Sequence, residues 1–232
     1  MGGNNMKDND KDKLDNEKVE NIKEVGVPNV PEMKNNIQFI SIIGEVEGHN
    51  MAPSDKKATK YEHIIPILIA AQQDPKIEGI FIILNTVGGD VEAGLALAEL
   101  INSVEKPKVS LVLGGGHSIG VPLATSTDYS FIVPTATMTI HPIRTTGLVI
   151  GVPQTFRYFE KMQDRIISFI LRTSKIDRDT LKSLMYATDE IANDVGTILV
   201  GEEAVKYKLI DEVGGFAKAL RKLNEMIEGK NQ

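Results

Sequence analysis

The chain has no cysteine and no tryptophan, and aromatic residues make up only 5% of its 232 positions. Without cysteine, disulfides, thiolate metal sites and a thiol nucleophile are excluded. The four histidines, at positions 49, 63, 117 and 141, are scattered and show no HExxH-type ligand spacing. Neither a metal nor a cofactor is expected. Scarce aromatics offer no stacking surface for bases, and the net charge of −6, with both signs interspersed, leaves no basic stripe for phosphates. Nucleic acid is not an expected partner. Long apolar runs are missing as well: residues 64–71, which include Pro66, fall far short of the ~18–20 residues a membrane helix needs. The first residues are polar rather than basic and then apolar, and Met6 stands where a myristoylation motif wants Ser or Thr. A cytoplasmic protein without a membrane span is expected.

What is present divides the chain in two. Residues 1–36 alternate charges and amides with few apolar side chains and end in a proline-punctuated stretch. Such a segment buries too little apolar surface to offset its ordering entropy, so disorder is expected, with room for a short helix over 13–25. From residue 37 to 232 the pattern is that of one globular domain. Strands are predicted over 37–43, 79–84, 108–113, 129–133 and 136–140, and helices over 61–73, 90–104 and 154–172. The alternation of strand and helix over 37–127 implies an α/β fold with a parallel sheet and helical crossovers. In 154–172, Phe156, Phe159, Met162, Ile166 and Phe169 fall three or four residues apart, giving one apolar face for core or subunit contact.

Two glycine-containing turns are the candidate chemistry. Asn85-Thr86-Val87-Gly88-Gly89-Asp90 follows a strand and precedes a helix, so its backbone N–H groups could cradle an anion; a plain tight turn explains it equally well. Gly114-Gly115-Gly116-His117-Ser118-Ile119-Gly120 sets a serine between glycines in a second strand-to-helix turn. A serine so placed is either a helix cap or an exposed nucleophile. A nucleophilic serine needs a positioned base, and His141, at the end of a predicted strand, is the one histidine that follows Ser118. His117 adjoins the serine, where consecutive side chains diverge; His49 and His63 are expected at the surface. An α/β-hydrolase would need its acid between serine and histidine, leaving only Asp128 and no room for the remaining sheet, so that fold is disfavoured.

These residues resemble the proteolytic subunit of the Clp protease family. The similarity runs through Asn85-Thr86-Val87-Gly88-Gly89, Gly115-Gly116-His117-Ser118-Ile119-Gly120, Met138-Thr139-Ile140-His141-Pro142 and the segment from Gly201 to Asp211, in family order over about 37–215. It implies a crotonase-like ββα spiral with a projecting handle, here 145–172, whose 147–153 strand would bind extended peptide. It also implies a serine endopeptidase with Ser118 as nucleophile, His141 as base and the N–H groups of Gly88 and Ile119 as oxyanion hole. The third triad member would be Asp194, with Asp189 as the alternative. A homo-oligomer of heptameric or stacked rings, acting on peptides or unfolded proteins, is implied too. An ATP-dependent unfoldase partner would follow as well, although the family's axial-loop N-terminus is replaced here. Thr86-Val87 replaces Ser-Pro, His117 replaces a small residue, and 49–60 is extra. A catalytically silent scaffold assisting secretion or assembly stays open, as does an acyl-CoA enzyme of the crotonase type.

Overall fold

The structure, a computed structural model, describes residues 36–144, 151–189 and 195–230. The polar extension through residue 35, the helix expected over 13–25, residues 145–150 and Asp194 lie outside them. The elements run β1 (Ile37–Glu47), β2 (Ala58–Lys60), α1 (Tyr61–Gln73), β3 (Gly79–Gly89), α2 (Val91–Ser103) and β4 (Lys108–Gly116). They continue with α3 (Gly120–Thr125), β5 (Tyr129–Ile132), β6 (Thr137–Ile140), α4 (Val152–Thr173) and α5 (Arg178–Met185). The last are β7 (Thr197–Val200), α6 (Glu202–Lys206), β8 (Glu212–Val213) and α7 (Phe216–Lys230).

The expected parallel sheet forms in the order β2-β1-β3-β4-β5-β8. An antiparallel pair, β6 with β7, joins the far end of β4 through Gly115 and Thr137. Both faces of the sheet are covered, which is why β3 reads as an unbroken apolar run rather than an alternation. Ile80, Ile82 and Leu84 pack into the main core beneath α1 and α2. Phe81, Val109, Leu111 and Phe131 meet Ala219, Leu223 and Ile227 of α7 on the opposite face. Among the described residues no helix is long and apolar enough to cross a membrane.

Two expectations are corrected. The glycine segments 85–89 and 114–116 are not turns in full: β3 continues to Gly89 and β4 to Gly116. Pairing persists past the glycines because the register shifts, with irregularities at Gly44/Glu45 of β1 where it pairs with β3 and at Leu84/Thr86 of β3 where it pairs with β4. The peptide-binding strand expected over 147–153 is described only from Gly151, where Val152 and Pro153 already open α4. Proline suits a first helical turn, whose N–H groups lack intrahelical partners.

Candidate active site

The turn that carries Ser118 is tied to strands on two sides. His117 donates its N–H to the Thr86 carbonyl at 3.2 Å, and Ser118 donates its N–H to the Thr139 carbonyl at 2.9 Å. The amides of Gly120 and Val121 then fold back onto the carbonyls of His117 and Ser118, opening α3. Ser118 sits at φ +57°, in the left-handed region that a non-glycine residue adopts at a cost of about 1–3 kcal/mol. Such strain is held only where neighbours over-determine the conformation, and here β3 and β6 do so.

Gly88 makes room for this serine. A Cβ placed there would approach the Ser118 Cβ at 2.7 Å and its Oγ at 3.3 Å, and φ at Gly88 is +90°. Its N–H is engaged: it donates to Thr86 Oγ1 at 3.1 Å, and the same hydroxyl donates to the Gly44 carbonyl at 2.6 Å. The N–H of Ile119 has no hydrogen-bond partner among the described residues. Of the two expected oxyanion donors, Ile119 is therefore open and Gly88 is held by a threonine hydroxyl.

His141 stands at the end of β6, and its Nδ1 lies 2.6 Å from the Pro142 carbonyl oxygen. A carbonyl can only accept, so Nδ1 carries the proton; in the neutral ring this leaves the lone pair on Nε2, the atom a base needs. The following segment is fixed by Gln163 on α4, whose Oε1 accepts the Ile143 N–H at 2.8 Å while its Nε2 meets Met185 Sδ at 3.1 Å. Gly196 backs the histidine closely, since a Cβ there would come within 2.8 Å of the His141 Cβ.

Ser118 and His141 line one cavity of about 160 Å³, together with Gly89, Ile119 and Arg144. Its apolar wall comes from Val91, Val121, Ile140, Ile166, Ile170 and Met185. No hydrogen bond joins Ser118 Oγ to His141 among the described residues; in catalytic pairs such bonds often tighten only in the substrate complex. The His117 ring turns away from the cavity toward β6, with Nδ1 2.7 Å from Thr139 Oγ1 and Nε2 3.5 Å from Thr137 Oγ1. Burial first, and the nearby charge of His141 second, hold its pKa below the ordinary value. His49 and His63 are exposed. So is Asp189, which makes no hydrogen bond or ion pair with His141.

The fold brings together Ser118, His141, Gly88 and Ile119 from three separate stretches of sequence. Sequence reasoning missed the supporting contacts of the Thr86 and Thr139 hydroxyls, Gln163 and Gly196. Gln163 alone left a signal: it is a polar residue within the buried stripe Met162, Ile167, Phe169 and Ile170 of α4.

A parallel α/β sheet with a strained serine turn facing a strand-end histidine is a hydrolase-type scaffold. The chain belongs to the Clp protease family, whose model, described as Clp protease, matches residues 41–216. Translocation-enhancing protein TepA of Halalkalibacterium halodurans is 58% identical over 211 residues, spanning 90% of this chain and 82% of that protein. The ATP-dependent Clp protease proteolytic subunit of Streptococcus sanguinis is 27% identical over 186 residues, 76% of this chain and 84% of that one. The subunit of the same name from Leuconostoc citreum is 29% identical over 152 residues, covering 62% and 70% respectively.

Proposed function

We propose that this protein is a serine endopeptidase that cleaves peptides or unfolded proteins through an acyl-enzyme intermediate. The observation that carries this reading is that Ser118 and His141 border one cavity, the serine in a strained turn and the histidine with Nδ1 against the Pro142 carbonyl oxygen. His141 Nε2 takes the hydroxyl proton as Ser118 Oγ forms its bond to the scissile carbonyl carbon. The tetrahedral oxyanion draws on the Ile119 N–H and, once it turns from Thr86, the Gly88 N–H. Breaking the C–N bond passes the proton from Nε2 to the leaving amine. Water then repeats the sequence in reverse roles, releasing the acid and regenerating Ser118. Asp194 is the proposed third member; it would take over the Nδ1–H of His141 from the Pro142 carbonyl, orienting the ring and stabilising its cation.

The apolar wall of the cavity suits a medium-sized hydrophobic side chain beside the scissile bond. Its volume of about 160 Å³ leaves room for an aliphatic side chain such as leucine or methionine. Confinement in a homo-oligomeric chamber would restrict access to extended chains, and an ATP-dependent unfoldase would be a partner only if the extension permits docking.

One observation favours a second reading, a silent scaffold that binds peptide and assists secretion or assembly; the TepA relative is named for enhancing translocation. The Gly88 N–H is occupied by Thr86 Oγ1, so the oxyanion hole is half closed. Hydrolysis of fluorogenic peptides with an apolar residue before the scissile bond separates the two. The peptidase reading expects turnover that falls at least about 10³-fold in Ser118→Ala and in His141→Ala, with folding retained. Turnover equal in wild type and both variants would reject it.

A further inference from the structure

We propose that His117 is a positioning residue that locks the nucleophile turn to the strand carrying the base. The inference rests on the peptidase reading for its consequence, but the clamp itself is a matter of geometry. Two bonds hold the turn to Thr139: the Ser118 N–H on the Thr139 carbonyl at 2.9 Å, and the His117 ring on the Thr139 hydroxyl at 2.7 Å. Thr139 lies in β6, two residues before His141, which directly follows the last residue of that short strand. Any change in the distance from turn to strand therefore moves Ser118 relative to His141.

The ring has the shape and the protonation state for this task. It lies against Gly115, where a Cβ would come within 2.6 Å of Nε2, so no other residue there would admit it. Gly115 is also the point where β4 pairs with β6, opposite Thr137. The imidazole thus fills the corner between the end of β4 and the start of β6, just where the turn begins. Burial keeps it neutral, and a neutral ring presents one donor and one acceptor, which the two threonine hydroxyls match in either sense. The one titratable group acting on it among the described residues is His141. A neutral His117 adds no positive charge beside the base as that base takes up its proton. A small side chain at 117 could make neither threonine contact.

The need for such a clamp follows from the strain on Ser118. A left-handed non-glycine residue relaxes unless it is held, and errors of about 1 Å in catalytic placement cost on the order of 10² in rate.

The test uses the full chain and four variants, H117A, H117N, T139V and the double variant H117A/T139V. Two readouts are taken: the rate at which a fluorophosphonate labels Ser118, and hydrogen exchange in peptides covering 115–121 and 137–141. Asparagine places a polar atom near the position of Nδ1, so H117N should label within about threefold of wild type, whereas H117A should lose about 10- to 100-fold. T139V, which keeps the carbonyl and the shape, should match H117A, and the double variant should be no worse than either. Exchange over 115–121 should quicken in H117A and T139V and return toward wild type in H117N. Wild-type labelling and exchange in H117A would overturn the proposal, as would H117N behaving like H117A. If wild type is not labelled but exchange follows the predicted pattern, the clamp stands and the peptidase reading falls.

Discussion

Burial and the neighbouring imidazole hold the His117 pKa below its ordinary value of 6.5, and this has a consequence for stability. The unfolded chain binds a proton at 117 more readily than the folded one. The contribution of His117 to stability is therefore fully present above about pH 6.5 and is lost as pH falls through that value toward the folded pKa. His117→Asn removes the titration while keeping a hydrogen-bonding group. The urea midpoint of wild type should drop more between about pH 7.5 and about pH 5.5 than that of H117N. Equal drops would mean that the ring is not perturbed in the folded state. The residues of the candidate pair were legible in the sequence, because glycines around Ser118 and an apolar run before His141 are local patterns. Thr86, Thr139 and Gly196 were not. Each makes a contact with a partner between 22 and 55 positions away, Thr86 with Gly44, Thr139 with His117 and Gly196 with His141, and nothing local marks such contacts.

Among the elements, α4 does most to shape the site, since it supplies Ile166 and Ile170 to the cavity and Gln163 to the segment after His141. It is also bound to α2 by two ion pairs seven residues apart, Glu92 with Arg165 and Glu99 with Arg172. Arg165 draws the Glu92 carboxyl below its ordinary pKa, but these side chains are about half exposed, so the pairs fix orientation more than they stabilise. Gln163 is different because it is buried. Gln163→Leu leaves the Ile143 N–H without its acceptor, which should destabilise the fold by about 1–3 kcal/mol and slow probe labelling of Ser118 about tenfold or more. Destabilisation with labelling unchanged would show that the segment after His141 keeps its place without α4. The long amphipathic helices and buried strands were readable from periodicity. The elements after residue 173 went unread: β7, α6 and β8 are five residues or shorter, too brief for a period to register. In α7 the spacing of Ala219, Leu223 and Ile227 carried a helical signal that only its packing on Phe81 and Phe131 makes plain. β3 and β4 outran their predicted ends because glycine, read as punctuation, here accommodates a register shift within continuing strands.

At the scale of the whole molecule, the first turns of α4 stand out. Val152, Phe156 and Tyr158 are 70%, 63% and 55% exposed, although the sequence spacing of Phe156 and Phe159 marks an apolar face. Leaving that surface to water is costly, and burying it against further copies of the chain is the economical alternative. The proposed homo-oligomer accordingly predicts a native mass many times the 25.4 kDa of one chain, reduced by Phe156→Glu. Native mass spectrometry of both proteins decides this, and a monomeric wild type would remove the chamber from the account.

The central claim, that the hydroxyl at 118 is activated by the imidazole at 141, is tested most directly by intact-mass and peptide mapping after fluorophosphonate treatment. One adduct per chain, mapped to Ser118, absent in Ser118→Ala and slowed at least about 10³-fold in His141→Ala, is the predicted result. An adduct elsewhere, or labelling of Ser118 that proceeds equally well without His141, would contradict it.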